Sequence, residues 1–199
     1  THTAEYAYAD VTRQWMDDSE DRFNLALEPT KYTYFNRLAN EEIRDGRHIG
    51  TNFTLPRLVS VYWPPHKAIA DSNGLGFTQY EGGPSYELQG SGMTVDAQYL
   101  EFWPNCVYTD EIGEIAFDVY TNFIDFGGHH PSQYVDIAPT TIFGAFGALR
   151  YLGSLTEDDN PRWDAALEFN NPGGDPTPSG TIITSTLTLG HGVNFGLAR

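Results

Sequence analysis

The chain has little positive charge, a single cysteine and no long apolar run. It carries 11 Lys and Arg against 27 Asp and Glu, so its formal net charge is −16. An acidic surface of this kind repels the phosphates of nucleic acids and anionic membrane surfaces. No apolar segment approaches the roughly 20 residues that a transmembrane helix needs. We therefore expect neither nucleic acid nor a membrane as a partner.

The lone Cys106 excludes an internal disulfide framework and a Cys-x-x-Cys metal knuckle, so we expect a buried, small hydrophobic residue. The acidic, lysine-poor composition suits extracellular or saline settings, although ordinary acidic proteins share it. We expect an extracellular or secreted protein, or a part of an extracellular assembly. The sequence starts at Thr1 without a signal peptide, and we interpret it as a piece of a longer polypeptide.

Strand-like and helix-like segments alternate along the first 170 residues. Alternating and apolar runs predict strands over 5–11, 75–81 and 129–138. Helical spacing predicts helices over 30–44, 55–73, 112–124 and 139–149, and a short one after residue 161. Loops are expected over 15–28 and 85–110. This order predicts an α/β fold of about three βαβ units with parallel strands.

Three stretches of the sequence carry a resemblance to a known family. The first is 66–75 leading into 79–84, the second is the end of a helix at 126–128, and the third is 143–152 followed by 160–165. In this order and spacing they resemble the C-terminal part of bacterial glycoside-hydrolase-like (β/α)8-barrel proteins.

The resemblance implies that residues 1–171 are the last three β/α units of a TIM-type barrel. The N-terminal remainder of the barrel, or another protein chain, would be a partner. Residues 172–180 are a Pro/Gly linker by composition, and 181–199 form a strand-like tail outside the resemblance.

The resemblance also implies a catalytic nucleophile at Glu81. This residue ends an apolar segment and precedes two glycines, which let backbone and ligand approach closely. Hydrolysis of a glycosidic bond needs two carboxylates, and the resemblance puts the second one upstream of Thr1. The alternative role for Glu81 is a structural carboxylate that holds a turn.

Five further residues are candidate substrate-binding residues: Asp10, Tyr99, Trp103, His129 and His130. The two aromatic rings could stack on sugar rings or form the core of a long loop. Adjacent residues of a strand face opposite sides, so at most one histidine would serve a site, and capping or packing would explain both. Asp10 could bind a sugar hydroxyl or be a solvated acid.

The sequence shows no spacing of metal ligands and no cofactor motif, so we expect neither a metal nor a cofactor. Gly144 and Gly147 have no following lysine, which favours close helix packing over a phosphate loop.

Two functions are therefore open. The first is a glycoside hydrolase fragment that acts on a polysaccharide with Glu81 as nucleophile. The second is a non-catalytic, glycan-binding or structural subunit of a larger assembly, for example a virion or a cell-surface complex.

Overall fold

A computed structural model describes most of the chain between residues 9 and 171. The described ranges are 9–50, 54–79, 82–83, 86–87, 96–133, 135–139, 141, 144–145, 147–151, 153–154 and 160–171. The helices are α1 (Ala9–Asn24), α2 (Thr33–Asp45), α3 (Leu55–Arg57), a π-helical stretch (Leu58–Tyr62), α4 (Trp63–Ser72), α5 (Ala97–Cys106), α6 (Asp110–Asp125) and α7 (Pro161–Asn170). The strands are β1 (Tyr86–Glu87), β2 (Val135–Ile137), β3 (Gly144–Ala145) and β4 (Gly147–Leu149).

The predicted α/β barrel fragment is wrong, because the described chain is mostly helical. A barrel of parallel strands needs each strand to pair with a neighbour on both sides. The described strands have two or three residues each and pair once: β1 with β3, antiparallel, and β2 with β4, parallel.

The first predicted strand and the loop after it correspond to helix α1 from Ala9 onward, while 5–8 lie outside the described residues. Four buried side chains follow helical spacing, and they are Thr12, Trp15, Met16 and Ser19. Two of the four are polar, which hides the apolar periodicity in the sequence. The Ser19 hydroxyl donates to the Lys31 carbonyl at 2.6 Å and accepts from the Phe35 amide at 3.1 Å. The polar residue on this buried face thus satisfies one of the orphan donors in the first turn of α2.

The predicted long loop over 85–110 contains helix α5. Its start is capped by Asp96, whose carboxylate accepts from the amides of Gln98 and Tyr99 at 3.1 and 3.2 Å. Its buried residues recur at helical spacing: Tyr99, Phe102, Trp103 and Cys106. Pro104 weakens the helical signal in the sequence, since proline lacks the amide donor.

The helix predicted over 139–149 is also wrong, because this stretch contributes β3 and β4. Gly147 explains the difference. A β-carbon there would lie 2.4 Å from the Ala138 carbonyl oxygen and 2.5 Å from the Ala138 nitrogen. The glycine therefore allows two backbones to approach closely, and it does not serve helix packing as the sequence predicts.

Four of the predicted helices are confirmed within a few residues by α2, by α3 to α4, by α6 and by α7. Pro64 and Pro65 supply no amide to bond the carbonyls of Ser60 and Val61. The sequence predicts a kink here or a new helix that starts at Pro65. The structure instead has the π-helical stretch, which leads directly into α4.

The main core joins α1, α2, α5 and α6. The Phe35 ring meets the rings of Phe102 and Trp103 edge to face, at centroid distances of 5.3 and 5.2 Å. Cys106 is fully buried here, which confirms its predicted role as a small core residue. Among the helices that the structure describes, none combines the length and apolar character of a membrane span.

The burial of α5 predicts unequal effects of two substitutions. Phe102→Ala should lower the free energy of unfolding by about 3–5 kcal/mol, because it empties a fully buried site. The control Leu100→Ala, on the same helix but 38% exposed, should change it by about 0.5 kcal/mol or less. Urea unfolding measures both. Equally small changes would show that Phe102 is not part of the core.

Candidate functional site

A groove of about 430 Å³ lies between the C-terminal half of α6, the segment 129–133 and helix α7. We call it the histidine groove, after His129 and His130. Its other lining residues are mostly aromatic, apolar or amide side chains: Tyr120, Ile124, Pro131, Gln133, Trp163, Ala166, Leu167, Phe169 and Asn170. Its volume falls within the range of about 300–1,000 Å³ that is typical of small-molecule sites.

The groove exists because α6 and α7 pack in direct contact. A β-carbon on Gly113 would lie 2.7 Å from both the β-carbon and the carbonyl oxygen of Pro161. Only glycine therefore fits at this point of α6. Further along, the rings of Tyr120 and Phe169 pack with centroids 5.5 Å apart. The two helices thus run in the same direction, and both line the groove.

The segment that precedes Glu81 is bound to the histidine segment by three hydrogen bonds. The His129 amide donates to the Phe77 carbonyl at 2.9 Å, and the Gln79 amide donates to the His130 carbonyl at 3.3 Å. The Ser132 amide donates to Gln79 Oε1 at 3.2 Å. Backbone and side-chain bonds together fix residues 77–79 against the edge of the groove.

The segment after Glu81 contacts the same edge. Gly83 has a φ of +84°, and a β-carbon there would lie 2.1 Å from Gln133 Oε1. The same oxygen accepts a hydrogen bond from the Tyr120 hydroxyl at 3.1 Å. The glycine therefore lets the chain pass close to a side chain that lines the groove.

Two of the predicted site residues, His129 and His130, line this groove, and both are exposed. Glu81 itself lies outside the described residues. It is two residues from Gln79 and two from Gly83 along the chain, and both of these neighbours contact the histidine segment. The structure thus brings the two histidines and the surroundings of Glu81 to one edge.

The predicted stacking residues Tyr99 and Trp103 lie elsewhere, in the main core. They are 1% and 3% exposed, so neither ring has a face open to a sugar. The Tyr99 hydroxyl is 3.2 Å from the Thr12 hydroxyl, and the Arg13 guanidinium lies 4.6 Å from the Tyr99 ring centroid. These contacts connect α5 to α1, which is a structural role.

An ion pair at the start of α5 also connects this helix to α1. Burial raises the pKa of Asp96, but the amide of Tyr99 and the guanidinium of Arg13 together outweigh it, so the pKa lies below its usual value. The Arg13–Asp96 ion pair measures 2.9 Å.

Asp10 is the second residue of α1 and not the end of a strand, because the buried face of α1 favours a helix there.

Sequence reasoning missed Trp163 as a candidate binding residue. All four tryptophans are described, and Trp15, Trp63 and Trp103 are at most 9% exposed, while Trp163 is half-buried and lines the groove. Helical spacing in the sequence predicts that Trp163 and Leu167 both point inward, but Leu167 is 42% exposed and Trp163 is only half-buried. The amphipathic pattern of α7 is weak, so the sequence does not indicate whether Trp163 lines a groove or lies in the core.

A second groove of about 490 Å³ runs along the same helix pair and is acidic. Its carboxylates belong to Asp110, Glu114, Asp118, Asp164 and Glu168. Within the described ranges, no group of three or more His, Cys, Asp or Glu residues is arranged to hold a metal ion.

Comparisons with known proteins identify no relative. No family model, no curated protein and no solved structure matches the chain.

The contact between Gly83 and Gln133 predicts a coupling between two substitutions. Gly83→Ala and Gly74→Ala both place a side chain at positive φ, which costs about 1–2 kcal/mol each. Gly74 faces open space, whereas a methyl group added at Gly83 must displace Gln133 and break its bond to Tyr120. We expect Gly83→Ala to cost about 1 kcal/mol more in free energy of unfolding.

A Gln133→Ala background should remove this excess. Equal costs for Gly83→Ala and Gly74→Ala in the wild-type background would show that the segment after Glu81 does not contact the groove.

Proposed function

We propose that the chain binds carbohydrate in the histidine groove. The observation that carries this proposal is the combination of the one partly exposed tryptophan with imidazole and amide side chains in a single groove. This combination offers both of the interactions that a sugar ring makes with a protein.

The apolar interaction comes from Trp163 and its neighbours. A sugar presents a C–H face that packs on an aromatic ring, while its hydroxyls stay available for hydrogen bonds. Ile124 and Leu167 flank the groove and are 40% and 42% exposed. Exposed aliphatic side chains next to an aromatic one provide the apolar area that such packing buries.

The polar interactions come from side chains that both donate and accept. His129, His130 and Asn170 are exposed along the groove. A sugar hydroxyl is itself a donor and an acceptor, so imidazoles and amides are suitable partners in several orientations. These groups fix the orientation of a ligand that the apolar contact holds.

Hydrolysis with Glu81 as nucleophile is a second candidate. What favours it is that both chain neighbours, Gln79 and Gly83, contact the edge of this groove. The reaction needs two carboxylates on either side of the scissile bond. The described residues that line the groove include none. The arrangement therefore supports binding more directly than turnover.

The binding proposal predicts a role for Trp163 that fluorescence can measure. Saturation with a neutral hexaose should reduce the quenching of tryptophan emission by acrylamide, because the other three tryptophans are buried already. Trp163→Ala should weaken binding about tenfold, which is about 1.4 kcal/mol, and Trp163→Phe should weaken it less.

The matched control is Phe23→Ala, which removes an aromatic ring that is 44% exposed on α1. Its affinity should equal that of the wild type. If gluco-, manno-, galacto- and xylohexaose all fail to bind, or bind equally well without Trp163, the proposed function is wrong.

The hydrolysis candidate predicts that Glu81→Gln lowers kcat at least about a thousandfold on a polysaccharide that the wild type cleaves. Binding should persist, since the amide keeps the size of the carboxylate. The control is Glu111→Gln, an exposed acid on α6. Unchanged turnover in Glu81→Gln would rule out Glu81 as the nucleophile. If the wild type cleaves no polysaccharide, the hydrolysis candidate is wrong and carbohydrate binding is the only proposed function that remains.

A further inference from the structure

We propose that the histidine groove accepts uncharged glycan segments and excludes anionic ones, such as uronate or sulfated chains. This inference rests on the proposed carbohydrate binding and adds the class of ligand. It follows from where the charges of the described residues lie.

Among the described residues that line it, the groove offers no fixed cation to an anionic sugar. A carboxylate or sulfate is normally recognised by Arg or Lys, which supply charged donors. None of the ten Lys and Arg residues that the structure describes lines the groove. Seven of them pair with carboxylates elsewhere: Arg13, Arg22, Lys31, Arg37, Arg44, Arg47 and Lys67.

The cation nearest in sequence is buried and does not line the groove. Arg162 precedes Trp163 but is fully buried, and its guanidinium lies 5.2 Å from the Tyr108 ring centroid. Arg150 lies 4.2 Å from the same ring centroid. Arg162 is thus held in the interior, and the half-buried Arg150 packs on the same ring, which does not line the groove.

Negative charge lies close on the other side of α7. Asp164 and Glu168 follow Trp163 and Leu167 in the chain and line the acidic groove with Asp118. The diameter of a helix with its side chains, about 10 Å, separates the two grooves. At low ionic strength the Debye length exceeds this distance, so the carboxylates repel an anion in the histidine groove. The net charge of −16 adds to the effect.

The test compares sugars that differ at C6 alone, where the hydroxymethyl group of the neutral sugar is a carboxylate in the uronic acid. Gluco-, galacto- and mannohexaose are each paired with the uronic acid hexamer of the same parent sugar. Affinities are measured by calorimetry at pH 8. We expect each neutral hexaose that binds to do so about tenfold more tightly than its uronate in 10 mM salt. The ratio should fall toward one in 1 M salt.

A charge variant identifies the source of the discrimination. Asp118→Asn with Glu168→Gln should reduce the ratio at low salt, while the control Glu20→Gln with Asp21→Asn on α1 should leave it closer to the wild-type value. A uronate that binds as tightly as its neutral partner would overturn this inference and leave the proposed function intact. Failure of every hexamer, and of xylohexaose, to bind would instead overturn the proposed function.

Discussion

The contact between α6 and α7 at Gly113 is the constraint on which the candidate site depends. Pro161 occupies the space that any side chain at position 113 would need, so the two helices meet without a gap. Ala116 and Ala165 are buried in the same interface. Small residues at these points allow the bulky rings of Tyr120 and Phe169 to meet further along the pair. Both grooves are lined by residues of α6 and α7 and therefore depend on this contact.

Hydrogen bonds then bring a distant segment to the groove. Residues 77–79 are about 50 positions before the histidines, yet the backbone of each segment satisfies donors or acceptors of the other. The glycines around Glu81 make this approach possible, since Gly83 has both a positive φ and a close neighbour in Gln133. The resulting edge presents imidazole and amide side chains, while the carboxylates of α6 and α7 lie on the neighbouring flank.

The sequence predicted helix α6 well, because the apolar residues of α6 by themselves follow helical spacing and no polar residue is needed to complete the buried face. It did not predict α1, where Thr12 and Ser19 occupy buried positions and find hydrogen-bond partners there. The pattern of α5 was present, from the Asp96 cap to Cys106, but Pro104 and nearby glycines favoured a loop. Of the candidate site, His129 and His130 were candidates from the sequence, which allowed at most one of them at a site, whereas both line the groove. Trp163 was not a candidate, because its role depends on a groove formed by residues far apart in the chain.

Hydrogen exchange with and without a saturating neutral hexaose tests the central claim most directly. The account predicts slower exchange of backbone amides in 77–79, 129–133 and the C-terminal half of α7, with α1 and α2 unchanged. Protection confined to α1 and α2, or no protection of the groove segments when the sugar is bound, would contradict it.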